Sequence, residues 1–215
     1  MRLVLMGMPG VGKGTQATRL SESLGVVHLS TGDILRDAVK AGMSLGLKAK
    51  DAMASGKLVP DDLIGDMISE RLAQHDVEGG FILDGFPRTV EQVAILDRVL
   101  EQRGVRLDRV ILLGASEQEI VRRLSGRRVC ESCGAVYHVE SKPSSKGGAC
   151  ERCEGALVQR PDDTEEVIRE RLRVYREQTL PIADAYKKRG LLVNVEGTGA
   201  PEEVFERLQA ELVAA

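Results

Sequence analysis

Apolar residues gather in five short runs of strand character: Arg2 to Met6, Val26 to Leu29, Phe81 to Leu83, Arg109 to Leu113 and Leu191 to Val195. Between them the apolar positions spread to the three- and four-residue spacing of helices. Thr15 to Leu24 carries Ala17, Leu20 and Leu24 on one face, and Ile34 to Lys40 follows capping residues at Ser30, Thr31 and Asp33. Asp61 to Gln74, Thr89 to Arg103, Glu117 to Leu124, Thr164 to Arg189 and Pro201 to Val213 also read as helices. This alternation predicts an α/β domain, a central parallel sheet of five strands flanked by helices, with ligands at the carboxyl ends of the strands. Two stretches break the rhythm. Thr31 to Val59 is helical but intrudes between the second and third strands, and Arg127 to Asp163 is rich in Cys, Gly and Ser with no strong period. The latter reads as an irregular excursion.

The junction of the first strand and first helix, "LMGMPGVGKGTQ" from Leu5 to Gln16, bears on function. A phosphate-binding loop follows G-x-x-x-x-G-K-[ST]. Gly7, Gly12 and Lys13 fit, but Gly14 stands at the Ser/Thr position and Thr15 comes one place late. A plain strand-to-helix turn needs one glycine at most, whereas Gly7, Gly10, Gly12 and Gly14 surround a lysine here. Such a loop curls its N–H groups inward, the helix adds its positive end, and Lys13 adds a full charge. The segment reads as a phosphate site.

The four cysteines, Cys130, Cys133, Cys150 and Cys153, form two C-x2-C pairs, the spacing of metal knuckles. A disulfide framework does not suit a cytosolic chain, and a redox pair needs a strand–helix setting that this segment lacks. Four thiolates leave no open coordination position, so a structural metal is expected. Zinc is favoured, although iron accepts the same sulfur cage.

Composition narrows the partners. A chain of 215 residues, 42% hydrophobic, can build one substantial core with small inserts. Its net charge of -3 and its few aromatics, with no Trp, argue against nucleic-acid binding. No apolar run approaches membrane-spanning length, and the first ten residues lack a signal-peptide plan, so a cytoplasmic protein is expected.

Six motifs in order now point to a family: "GMPGVGKGTQA" (7–17), "STGDILR" (30–36), "GKLVPD" (56–61), "FILDGFPRT" (81–89), "GRRVC" (126–130) and "RPDDTEEVIRERL" (160–172). Together they span essentially the whole chain, which closely resembles the adenylate kinases with a four-cysteine lid. The resemblance implies reversible phosphoryl transfer from MgATP to AMP, giving two ADP, by a monomer. It also implies a core of residues 1–29, 60–125 and 164–215, an AMP-binding insert at 30–59 and a zinc-binding lid at 126–163. A UMP or CMP kinase is the nearest rival. A zinc-ribbon binding module on an ATPase core is the rival from another class; a lid with Tyr137 as its one aromatic, and with Glu131, Glu140, Glu151 and Glu154, disfavours it.

The resemblance assigns residues by position. Gly10, Val11, Gly12, Lys13, Gly14 and Thr15 would cradle the ATP phosphates, with Arg127 above them. Val136 and Tyr137 would cover the base, with Gly199 near it through backbone. Asp84 would stand near hydrated Mg²⁺, and the departure at Gly14 makes a direct Thr15 ligand doubtful. Arg36 and Arg88 would clamp the AMP phosphate, while Arg123, Arg160 and Arg171 surround the transferring group. Thr31 and Gln92 would read adenine, with Lys57, Leu58, Val59 and Gly85 lending backbone, and Phe86–Pro87 resembles a cis peptide. The acceptor phosphate is already anionic, so no side chain need remove a proton. His28, His75 and His138 carry no motif and read as ordinary polar or packing residues.

Overall fold

Strand β1 (Arg2–Gly7) sends Leu3 and Leu5 to one face and Val4 and Met6 to the other, none more than 2% exposed. A strand buried on both faces belongs at the middle of a parallel sheet. β1 occupies that place in the computed structural model, which describes residues 1–213; Ala214 and Ala215, the end of the expected core segment, lie outside the described residues. β2 (Val27–Ser30), β3 (Phe81–Asp84), β4 (Arg109–Gly114) and β8 (Leu192–Glu196) complete a five-stranded parallel sheet in the order β2-β3-β1-β4-β8.

On one face Val4, Met6, Leu83 and Val110 pack against α4 (Asp61–Leu72), α5 (Val90–Gln102) and α8 (Ile182–Lys188). On the other, Leu3, Leu5, Ile82, Ile111 and Val195 meet α1 (Lys13–Leu24), α6 (Glu117–Ser125), α7 (Glu165–Val174) and α9 (Pro201–Val213). Each strand runs one residue beyond its predicted carboxyl end, to Gly7, Ser30, Asp84, Gly114 and Glu196. Hydrophobic pattern marks where side chains are buried, but the backbone ladder continues to the polar rim where ligands gather.

The first insert is a helical pair, α2 (Thr31–Lys40) and α3 (Ser44–Ala54), and the Ser30 side chain caps α2 by accepting the Asp33 N–H at 3.3 Å. The second insert corrects the expectation of an irregular segment. β5 (Arg127–Cys130), β6 (Val136–His138) and β7 (Leu157–Val158) form an antiparallel sheet in the order β6-β5-β7. Strands of two to four residues are too short to show a period.

The single helix expected over Thr164 to Arg189 is also corrected. After α7 the chain widens into a π turn, Tyr175–Thr179, closed by Leu180 N–H donating to the Tyr175 carbonyl at 2.8 Å. Pro181 follows, and a proline can neither donate its N–H nor fit against the carbonyl four residues back. The π turn brings the Thr179 hydroxyl to the Arg88 carbonyl, to which it donates at 3.0 Å.

Candidate active site

β1 ends in Gly7 at the middle of the sheet's rim, and the turn after it wraps the start of α1. Gly10 has φ +82, and a Cβ there would stand 2.6 Å from Leu124 Cγ; Gly12, the N-cap, has φ +110. Both conformations are strained for any other residue. The helix begins at Lys13, two residues earlier than its apolar face suggested. Lys13 Nζ donates to the Gly7 and Met8 carbonyls at 2.8 and 2.9 Å, which holds the ammonium over the loop. A Cβ at Gly14 would meet only Asp84 Oδ2, at 3.5 Å. A carboxylate from the end of β3 thus stands beside the place where phosphate loops usually carry a hydroxyl, and Thr15 is exposed.

Arginines from separate elements converge on this loop. Arg127 at the start of β5 makes a two-pronged bond to Asp163, Nε to Oδ2 at 2.8 Å and Nη2 to Oδ1 at 2.6 Å. Arg171 of α7 reaches Asp162 Oδ2 at 2.9 Å and Asp163 Oδ1 at 3.3 Å. Arg88 Nε donates to the Gly85 carbonyl at 2.7 Å. Arg36 Nη2 donates to Asp33 Oδ1 at 2.6 Å, and Arg160 Nη2 stands 3.9 Å from the same oxygen, so the two inserts meet there. Lys40 Nζ, donating to the Glu131 carbonyl at 3.1 Å, is a second contact between them.

The crowding of like charge is visible in the acidities. Burial pushes the Lys13 ammonium down to about 8; Asp84 opposes this, and Arg88, Arg171 and Arg127 add to it. Burial lowers Arg88 to about 10, with repulsion from Arg171 and Arg36, and Arg160 to about 10, with repulsion from Arg36 and Arg127. Arg171 is lowered by burial and by the same neighbours. Six cations therefore share a partly dry site. Asp33, Asp84, Asp162 and Asp163 offset them only in part, and a bound polyanion would relieve the rest.

Beside the cations, Thr31, Arg36, Lys57, Leu58, Val59, Gly85, Arg88, Gln92 and Arg171 line one cavity between the first insert and the sheet. Phe86 and Pro87 are buried and joined by a cis peptide. Thr31 Oγ1 donates to the Asp84 carbonyl at 3.2 Å, so cavity and loop share one strand end.

Two of the expected site residues have their side chains engaged within the protein. Arg123 clasps the Val11 and Gly197 carbonyls at 3.0 and 3.1 Å, with Nε on Glu119 Oε1 at 2.7 Å. It is spent on joining the phosphate loop to the turn before exposed Gly199. Tyr137 is 5% exposed and packs with Cys130 and Cys150, while Val136 beside it is exposed. Sequence reasoning also missed Asp163, a carboxylate with no exposed surface that pins Arg127 and Arg171. Its signal was present in "RPDD", where two acids follow an arginine. His28 Nε2 stands 3.6 Å from Asp84 Oδ2.

The sulfurs of Cys130, Cys133, Cys150 and Cys153 all lie within 4.8 Å of one another, with Cys130–Cys153 at 3.4 Å and Cys133–Cys150 at 3.6 Å. A tetrahedron with metal–sulfur bonds of about 2.3 Å has edges of about 3.8 Å, so the cluster fits a metal. Both knuckles close alike: Gly134 N–H donates to the Cys130 carbonyl at 3.0 Å and Glu154 N–H to the Cys150 carbonyl at 2.8 Å. The Tyr137 hydroxyl accepts the Glu151 N–H at 2.9 Å, leaving its proton for Cys150 Sγ at 3.4 Å. That bond draws the Cys150 thiol down to about 6.

The adenylate kinase family model matches residues 5–191. Curated relatives named adenylate kinase match over nearly the full length of both chains. That of Thermodesulfovibrio yellowstonii is 50% identical over 212 residues, covering 99% of each chain. That of Archaeoglobus fulgidus is 48% identical over 212 residues, 99% of this chain and 98% of its own. That of Trichlorobacter lovleyi is 50% identical over 213 residues, 99% of this chain and all of its own. Matches of this reach take in the phosphate loop, both inserts and the arginines of α7 together, which a phosphate loop alone would not: the chain belongs to the adenylate kinase family and is a phosphotransferase.

Proposed function

We propose that the chain transfers the terminal phosphoryl group of ATP to AMP, reversibly, giving two ADP. The observation that carries this is the set of six crowded cations, Lys13, Arg36, Arg88, Arg127, Arg160 and Arg171, between a phosphate loop and the cavity that Arg36, Arg88 and Arg171 share with Thr31 and Gln92. Two polyanions must meet end to end for such a transfer, and a cluster that costs free energy when empty is suited to both. In our reading the loop of Gly10 to Thr15 holds the donor phosphates through its N–H groups. Lys13 and Arg127 neutralise their charge, and Arg123 braces the loop. Arg36 and Arg88 hold the acceptor phosphate in line, with Arg160 and Arg171 spanning the gap. Thr31 and Gln92, with the backbone of Lys57 to Val59 and of Gly85, take the acceptor base. The backbone of Val136, Tyr137 and Gly199 lies on the donor-base side.

Asp84 offers the hard oxygen that suits Mg²⁺ carried by ATP, whose contribution is to neutralise charge on the donor phosphates. Cys130, Cys133, Cys150 and Cys153 would hold zinc as a purely structural ion. Residues 30–59 and 126–163 act as flap and lid over a core of 1–29, 60–125 and 164–215, closing to keep water from taking the phosphoryl group. The resemblance to the adenylate kinases is what supports a monomer. The described helices include none long and apolar enough to cross a membrane, and free nucleotides as substrates point to the cytoplasm.

A coupled assay of ADP formation tests the reaction. ATP alone should give little ADP, and AMP should be preferred over CMP and UMP by orders of magnitude in kcat/KM. Equal rates with CMP would move the chain to the neighbouring pyrimidine kinases.

Lys13 supplies a pH-dependent test. In the free protein its proton is half lost near pH 8, and anionic phosphates beside it raise that value. ATP binding at pH 8 should therefore take up roughly half a proton, fading by pH 6 where Lys13 is already charged. Calorimetry in buffers of different ionisation enthalpy measures the uptake. Lys13→Ala, titrated at concentrations where it still binds, should abolish it; equal uptake by the variant would assign the proton elsewhere.

A further inference from the structure

Gln92 is not free to turn. Its Oε1 accepts the Arg88 backbone N–H at 2.8 Å, and its Nε2 donates to Asp61 Oδ1 at 2.7 Å. The other Asp61 oxygen accepts the Thr89 hydroxyl at 3.0 Å, and Thr89 Oγ1 in turn caps α5 by accepting the Gln92 N–H at 3.1 Å. The ring of bonds thus runs Asp61–Thr89–Gln92 and ends on the backbone of Arg88. It depends on close packing: α4 meets α5 at Gly65, where a Cβ would stand 2.9 Å from Ile95 Cδ1.

A side-chain amide can rotate by half a turn with little change in shape, so its partners decide which atom faces where. Rotated here, Gln92 would set its NH₂ against the Arg88 N–H and its oxygen against a carboxylate. The side chain is 2% exposed, so no water would relieve that mismatch. Asp61 is also an acidic residue in the first turn of α4, a common helix-stabilising feature. Asp62 has the same place and charge, but it is exposed and its Oδ1 accepts only the Leu63 N–H, at 2.8 Å.

We propose that Asp61 is a positioning residue for acceptor-base specificity: its carboxylate fixes the Gln92 amide in one orientation and so decides which hydrogen-bonding edge the base meets. The inference rests on the assignment of Gln92 to the acceptor base. So held, the amide keeps one Nε2 proton and one Oε1 lone pair for a ligand. That pair matches the amino group and neighbouring ring nitrogen of a 6-aminopurine. An oxygen at position six would meet Oε1, acceptor against acceptor. A loosened amide can rotate and accommodate the oxo base.

Steady-state kinetics of the full chain with AMP and with IMP as acceptor, at saturating ATP, test this in Asp61→Ala, Asp61→Asn, Asp62→Ala and Gln92→Ala. Asp61→Ala should raise the KM for AMP about tenfold and narrow the AMP-to-IMP ratio of kcat/KM about tenfold. Its kcat with AMP and its KM for ATP should stay within threefold of the parent. The near-isosteric Asp61→Asn, intermediate in effect, carries the test if the alanine variant does not fold. Asp62→Ala should leave every value unchanged. An unchanged ratio in the Asp61 variants, with Gln92→Ala collapsing it, would overturn the role of Asp61 while leaving that of Gln92. A ratio unchanged in Gln92→Ala as well would overturn both. A uniform loss with both acceptors and with ATP, shared by Asp62→Ala, would show helix stability only and overturn the proposal.

Discussion

Arg88→Ala is expected to lower kcat/KM by at least about a hundredfold without unfolding the protein. The residue is fixed at three points: its guanidinium Nε donates to the Gly85 carbonyl at 2.7 Å, its backbone N–H donates to Gln92 Oε1 at 2.8 Å, and its backbone carbonyl accepts the Thr179 hydroxyl at 3.0 Å. Such fixing leaves little to reorganise when a phosphate arrives. Loss of one charge-assisted contact to a transferring group costs about 3 kcal/mol or more of transition-state stabilisation. The same side chain contributes little to the fold. Burial and neighbouring arginines hold it down to about 10, so its charge is disfavoured in the free protein, and removing it should not lower the melting temperature. Steady-state rates with circular dichroism check both halves. Activity within tenfold of the parent, on an intact spectrum, would remove Arg88 from the transfer site. Lys13→Ala should behave alike through the donor phosphates.

Removing the metal should instead loosen the lid while sparing much of the chemistry. The lid's own apolar cluster is Cys130, Tyr137 and Cys150, with Ala135 and Leu157 packed against it. That is far too little surface to offset the entropy of ordering the segment. A Cys₄ metal site can supply on the order of 10 kcal/mol to a small fold. A strong chelator, or Cys130→Ser with Cys133→Ser, should therefore lower the melting temperature and broaden the transition as the lid opens first. At moderate temperature activity should fall less than about tenfold. Lys13, Arg36, Arg88 and Arg171 lie outside the lid, and Arg127 is pinned to Asp163 at its base rather than to a knuckle. Metal analysis should find one equivalent per chain, as zinc. Complete loss of activity in the cold, with the core still folded, would make the site catalytic and overturn this assignment.

Some of this protein follows from the order of its residues alone. The parallel sheet is legible because strands buried on both faces leave continuous apolar runs, and the helices because their apolar residues recur every three or four positions. The phosphate loop and the four thiolates are legible because their parts are close in sequence, so spacing and geometry are nearly one statement. Motifs, rather than periodicity, pointed to the adenine nucleotides.

Tertiary structure decided what depends on residues far apart in the chain. Asp163 acquires its role only because α7 and β5 bring Arg171 and Arg127 to it. Asp61 meets Gln92 only because α4 and α5 cross closely, and Tyr137 turns to Cys150 because a three-residue strand too short to show a period pairs with β5. The apolar spacing runs as one helix from Thr164 to Arg189, and only the folded chain shows the π turn before Pro181 that carries Thr179 to Arg88. Local order sets which elements form. Only packing sets which buried polar groups must satisfy one another, because each needs a partner that the sequence keeps elsewhere.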